Sequence, residues 1–201
     1  TETNKEKSMS SSELPDDDAD ETLEILMTGL DHAKAQQFIC SRRPSDNSEE
    51  DEGHTLGYKI TQSTQLDCIY KNKKKASFHH DAFAFAPCGY SSNMVVDEEY
   101  YYTVHVTPEK GWSYASFESN VPVNAVSLNE QDNLDIMNHV LGVFKPQDFC
   151  LTFFAKEMPN QSFTKLMQIV SQIPGYAKKD RVIYDLDDYQ LLYMRFERSI
   201  T

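Results

Sequence analysis

HHDAFAFAPCGYSSNMVVDEEYYYTVHVTPEKGWSYASFESN runs from His79 to Asn120. Apolar and polar residues alternate through most of it, the period of a strand with one face buried. Strands are predicted over Ser77–Phe85, Tyr100–Thr107 and Trp112–Ser119, with a turn at Pro87-Cys88-Gly89-Tyr90. Gly89 permits a backbone conformation that other residues resist. A cysteine, serines, a histidine, two isolated glutamates and many aromatic rings can then converge on one sheet face. Such a face is costly as plain core and useful as a site.

Working outward, Asp20–Met27 (DETLEILM) places Asp20, Thr22 and Glu24 on one side and Leu23, Ile25 and Met27 on the other, again a strand. Asp31 can N-cap a short helix through Phe38. Residues 41–56 (SRRPSDNSEEDEGHTL) read as a solvated acidic loop, and 71–76 (KNKKKA) as a basic turn. Leu134–Phe144 has helical spacing, with Ile136, Val140, Leu141 and Phe144 on one stripe. Ser162–Ile173 reads as a second amphipathic helix stopped by Pro174-Gly175. Phe149–Ala155, Val182–Leu186 and Tyr189–Phe196 complete the strands.

Many strands adjacent in sequence, with few helices, predict an α+β fold: an antiparallel β-sheet with helices on one face. The opposite face is too aromatic for water and too polar in places for an ordinary core. A second sheet stacked on it would resolve this. The sequence holds no second set of strands, so that sheet is expected from another chain or segment.

Composition narrows the partners. The net charge of −13 argues against nucleic acid or an anionic membrane as the main partner. The acidity is concentrated in residues 1–52, which carry fifteen acidic against five basic side chains. Residues 1–19 are poor in apolar side chains and are expected to be disordered, leaving 20–201 as one domain. No apolar run approaches the roughly 20 residues of a membrane span. The polar, acidic N-terminus is unlike a signal or transit peptide, which predicts a cytoplasmic protein. The chain lacks an initiator methionine, as a processed piece or fragment would. Cys40, Cys68, Cys88 and Cys150 are widely spaced without metal-site pairing, and are read as reduced thiols.

Several side chains admit both a plain and a chemical reading. His105, mid-strand with Tyr101 and Thr103 on its face, is either a half-buried structural histidine or an acid/base. Ser91 is a turn-proximal polar residue, or a hydroxyl set beside a histidine from a neighbouring strand. Cys88 could act as a thiol nucleophile with His105, although no helix start follows it to stabilise a thiolate. Glu109 is a loop carboxylate or an acceptor for hydroxyls such as those of ribose. Asp20, Glu24 and Glu118 are solvated surface acids, or acids facing one interior and needing a cation among them. A metal would want tighter ligand geometry, so a small organic diamine is the alternative. Phe83 and Phe85 are core, or a platform for a flat heterocycle.

FAPCGYSSN followed by YYYTVHVTPEKGWSYASFESN, with ETLEILMTGLD upstream and VFKPQDF and DLDDY downstream, closely resembles eukaryotic S-adenosylmethionine decarboxylase proenzymes, in their fungal variant. The resemblance extends from about Glu21 onward. It implies a pyruvoyl-dependent decarboxylation of S-adenosylmethionine that supplies aminopropyl groups for spermidine and spermine. It also implies a four-layer αββα sandwich of two related repeats, of which this chain matches the C-terminal one.

Carried over position by position, Ser91 matches a serine needed for self-processing. His105 matches the base that takes a proton during it. Phe85 matches a ring stacking on adenine, and Glu109 the carboxylate binding the ribose hydroxyls. Asp20, Thr22, Glu24 and Glu118 match a putrescine-binding set, with Phe154 and Tyr189 as lining residues. No metal is implied. The pyruvoyl group is self-derived from a serine outside this chain, as is the cysteine that protonates the product. Glu118-Ser119 resembles the Glu-Ser cleavage sequence but lies within a strand and should not be cut. The partners implied are the N-terminal part of the same proenzyme, S-adenosylmethionine, putrescine and a second copy in a homodimer. The contrasting reading is a non-catalytic regulatory paralogue that binds putrescine or an active partner.

Overall fold

The computed structural model describes residues 20–40, 49–70, 77–123, 131–156, 166, 168 and 173–199. The expected disordered segment 1–19, the basic turn 71–76 and most of the helix expected at Ser162–Ile173 lie outside the described residues.

Among the described residues, eight strands form one antiparallel sheet: β1 Glu21–Thr28, β2 Phe78–Ala84, β3 Tyr90–Val96, β4 Tyr100–Thr107, β5 Tyr114–Ser119, β6 Asp148–Lys156, β7 Tyr176–Leu186 and β8 Tyr189–Arg198. Their spatial order is β2-β3-β4-β5-β1-β6-β8-β7, so β1 sits centrally between β5 and β6. One face is a continuous core. Leu23, Ile25 and Met27 of β1, Val104 and Val106 of β4, and Phe117 of β5 are all buried in it. The α+β reading, with alternation assigning β1 to an apolar and a polar side, holds here.

Helices cover this face. Asp31 caps α1 (His32–Ala35) by accepting from the Lys34 amide, and a 3-10 turn follows over Gln36–Phe38. Phe38 is fully buried, with its ring 5.4 Å from both Tyr90 and Phe144. Phe144 ends α3 (Asn133–Phe144), which starts with a reciprocal capping box between Asp132 and Asp135. Its Ile136, Met137, Val140 and Leu141 are buried, as the helical stripe predicts.

Two expectations are corrected. The loop expected over 41–56 is helical from Glu49, because α2 spans Glu49–Thr64. Its buried face is Gly53, Gly57, Thr61 and Thr64, four apart or nearly so. Glycine and threonine make a helix face without an apolar stripe, so no hydrophobic period marks it. The face exists because α2 lies on the edge strand β2. His54 Nδ1 is 3.0 Å from the Ala82 carbonyl, and the Tyr58 hydroxyl donates to the His80 carbonyl at 3.0 Å. These side chains occupy edge acceptors that would otherwise be open to another strand.

The second is β3, which begins at Tyr90, expected in the turn, and runs through 91–96, which no predicted strand covers. Tyr90, Ser92, Met94 and Val96 alternate inward, but Ser91-Ser92-Asn93 obscures the pattern. β7 also begins earlier than expected. Its exposed, charged first half has no apolar alternation, and the ladder to β8 alone defines it, with an irregularity between Lys178 and Asp180.

Candidate active site

The face opposite the helices holds the site. Strand register arranges its side chains in rows across the sheet. One row runs Phe83, Ser91, His105, Ser116, Leu26, Cys150. The next runs Asn93, Thr103, Glu118, Glu24, Thr152.

In the first row, Ser91 and His105 are direct cross-strand partners. Ser91 Oγ lies 2.9 Å from His105 Nδ1, and His105 is exposed on the open face. With Nδ1 as acceptor the serine hydroxyl donates, the arrangement that lets the imidazole take up a proton. The β3–β4 hairpin, whose turn runs through Asp97 and Glu98 at φ +56° and +61°, sets this pair, and the β2–β3 turn places Phe85. Gly89 adopts φ +120°, a conformation that favours glycine, and its carbonyl accepts from the Phe85 amide at 2.9 Å. Phe85, a residue 46% exposed, leaves β2 with its ring 4.8 Å from the ring of Phe83. His105 hydrogen-bonds Ser91 and not Cys88, whose backbone bridges Ile39.

Glu109 lies beyond β4, in the loop leading to β5, where its carbonyl accepts from the Trp112 amide at 3.2 Å. Its side chain is exposed and helps line a cavity of about 570 Å³ at the end of the sheet, with Leu30, Ile39, Cys88 and Pro108.

In the second row Glu24 and Glu118 face each other across β1 and β5. Like charges directly opposite are destabilising unless partnered. Thr152 Oγ1 donates to Glu24 at 3.0 Å, and the Tyr101 hydroxyl donates to Glu118 at 2.6 Å. That bond, with burial second, pushes the Tyr101 hydroxyl up to about 12. The Tyr189 hydroxyl donates to Asp20 at 2.8 Å, and the Tyr189 ring stacks on Phe154 at 4.7 Å and 7°. Thr22 is the cross-strand partner of Phe154. Thus all six expected diamine-site residues lie on β1, β5, β6 and β8 or beside them, on one side of the sheet. Among the described residues, neither Glu24 nor Glu118 is paired with a lysine or arginine, and Arg195 of the same face is engaged by Glu197 at 2.7 Å and Asp148 at 3.4 Å. Neutral hydroxyls orient the two glutamates without cancelling their charge, so the row suits a cation.

Sequence reasoning put Tyr101 on this face without pairing it to Glu118, and gave Thr152 no role. Their spacings of 17 and 128 residues from their glutamates leave no local signal. Glu21 was also overlooked. It points to the helix side, is 6% exposed, and burial raises its carboxyl to about 7.

Among the described residues no cluster of three or more His, Cys, Asp or Glu is placed to hold a metal ion, and no helix is long and apolar enough to cross a membrane.

The sequence model of the adenosylmethionine decarboxylase family matches residues 1–197. The chain is 55% identical over 191 residues to the S-adenosylmethionine decarboxylase proenzyme of Saccharomyces cerevisiae, covering 92% of this chain and 48% of that protein. It is 33% identical to the proenzyme of Xenopus laevis over 179 residues, covering 89% and 46%. The chain therefore spans about half the length of these relatives. The fold is shared with the crystal structure of the Trypanosoma brucei AdoMetDC-delta26 monomer, at a TM-score of 0.66 and 22% identity over 90% of this chain and 66% of that one. A match along nearly the whole sequence, relatives of the same name in separate lineages and a common sheet architecture agree: this chain belongs to the adenosylmethionine decarboxylase family.

Proposed function

We propose that this chain forms one wall of an S-adenosylmethionine decarboxylase active site, the other wall coming from the N-terminal half of the same proenzyme. The observation that carries this reading is the 2.9 Å contact between Ser91 and His105 on the face of the sheet opposite the helices. A polar, hydrogen-bonded pair exposed on a face that also carries Phe85, Glu24 and Glu118 is suited to meeting a partner sheet and a polar ligand between the two.

In this reading His105 accepts a proton during self-cleavage of the proenzyme, and the Ser91 hydroxyl holds its ring in place through Nδ1. Phe85 offers a ring face to the adenine, and Glu109 accepts hydrogen bonds from the ribose hydroxyls. Asp20, Thr22, Glu24 and Glu118 take putrescine as the cation between the sheets, with Phe154 and Tyr189 beside it. A pyruvoyl group, formed on a serine outside this chain, supplies the electron-accepting carbonyl for loss of carbon dioxide. The Ser91–His105 pair lies on the sheet face opposite the helices, where it would meet such a group. The location is cytoplasmic, and the product enters spermidine and spermine formation.

The test is release of labelled carbon dioxide from carboxyl-labelled S-adenosylmethionine by the proenzyme containing this chain. Release that follows self-cleavage and is lost with His105→Ala is expected. A cleaved protein of correct mass without release would leave the regulatory-paralogue reading in its place.

A further inference from the structure

Phe85 is held from behind, and its support reaches helix α2. The Phe83 ring lies 4.8 Å from that of Phe85, inclined at 55°. On its other side Phe83 meets His54 edge-on, with centroids 5.0 Å apart at 85°. It also meets the backbone of Gly53. A Cβ built on Gly53 would overlap Cζ and Cε2 of the Phe83 ring and stand 2.9 Å from Cε1. One helical turn on, a Cβ on Gly57 would lie 2.6 Å from the carbonyl carbon and oxygen of Ala82 and from the Phe83 amide nitrogen. Two glycines one turn apart thus let α2 press onto β2 at the residues that carry the ring. His54 adds an anchor through the Ala82 carbonyl at 3.0 Å and Asp81 at 3.2 Å. The helix leaves Phe83 little room to move, and Phe83 bounds the positions open to the half-exposed Phe85 ring.

We infer that Phe83, seated on the Gly53–His54 turn of α2, is a positioning residue for nucleoside binding: it sets the plane in which Phe85 meets the adenine. This rests on the stacking role proposed for Phe85. A ring free to rotate must be ordered each time a ligand binds, whereas a supported one is already in place. Aromatic pairs of this geometry account for about a three- to tenfold change in an equilibrium. The effect belongs in substrate affinity, because Phe83 acts through its contact with the Phe85 ring.

The experiment is a double-mutant cycle in the full proenzyme, with Phe83→Leu, Phe85→Ala and the pair, read as KM and kcat for S-adenosylmethionine after self-cleavage. Phe83→Leu is expected to raise KM about three- to tenfold with little change in kcat, and to add nothing in the Phe85→Ala background. Gly53→Ala, which drives a methyl group into the Phe83 ring, should reproduce the Phe83→Leu effect. Restoring a ring with Phe83→Tyr should recover most of the affinity. If Phe85→Ala raises KM while Phe83→Leu leaves it unchanged or acts additively, the positioning role is overturned and the stacking role stands. If Phe85→Ala leaves KM unchanged, the stacking role fails and the positioning role falls with it. Because Phe83→Leu keeps an apolar filler at the site, the cycle decides the question even if Gly53→Ala prevents α2 from forming.

Discussion

Replacing Glu21 with glutamine should make the protein more stable, and increasingly so as the pH rises. Glu21 opens the central strand β1 with its side chain on the helix-covered face, where it is 6% exposed. Burial alone raises its carboxyl from 4.5 to about 7. Below about pH 4.5 the group is protonated in both folded and unfolded chains and costs nothing extra. Between 4.5 and 7 the unfolded chain releases its proton while the folded one retains it, so stability falls through that window. Above 7 both forms are ionised and the full cost persists, about 3 kcal/mol for a displacement of this size. Glutamine has nearly the same shape and no charge to desolvate. Urea unfolding of wild-type and Glu21→Gln proenzyme at pH 4.5, 6 and 8 should therefore show a gap near zero at the first pH, opening to about 3 kcal/mol at the last. A gap independent of pH would refute the argument, since it would mean that Glu21 titrates alike in both states.

His105→Ala should leave the proenzyme folded but slow its self-cleavage by about a hundredfold or more, visible as uncleaved chain on a denaturing gel; normal cleavage would remove His105 from that role. Tyr101→Phe takes the 2.6 Å donor from Glu118 and should weaken putrescine activation about tenfold, whereas an unchanged activation curve would place the diamine elsewhere. Phe38→Ala empties a fully buried position between Tyr90 and Phe144 and should cost about 3–5 kcal/mol in denaturant unfolding. Alkylation of Cys88 should leave the pH profile of decarboxylation unaltered, because His105 is bonded to Ser91; loss of a titration near neutrality would revive a thiol–imidazole pair.

Much of the site was legible because a strand has a period of two. That period alone put Asp20, Thr22 and Glu24 opposite Leu23, Ile25 and Met27, and put Tyr101 and His105 on one face. The elements that escaped were those whose inward residues are not apolar. Ser92 sits buried in β3, and α2 is buried through Gly53, Gly57 and Thr61. Neither pattern contrasts with solvent-facing sequence, so only contact with β2 and β4 reveals them. The support of Phe85 by α2 was hidden for the same reason.

The sequence by itself determined which side of each regular strand is polar, where α1 and α3 begin, and, through its motifs, the family. Only the tertiary structure decided which polar groups meet. β1 is first in the chain yet lies between β5 and β6, which sets Glu24 against Glu118 and Thr152. Alternation is local and survives in the sequence. Register within the hairpins follows from alternation and the local turns, but the insertion of β1 between β5 and β6 joins segments far apart in the chain, and no local pattern encodes it.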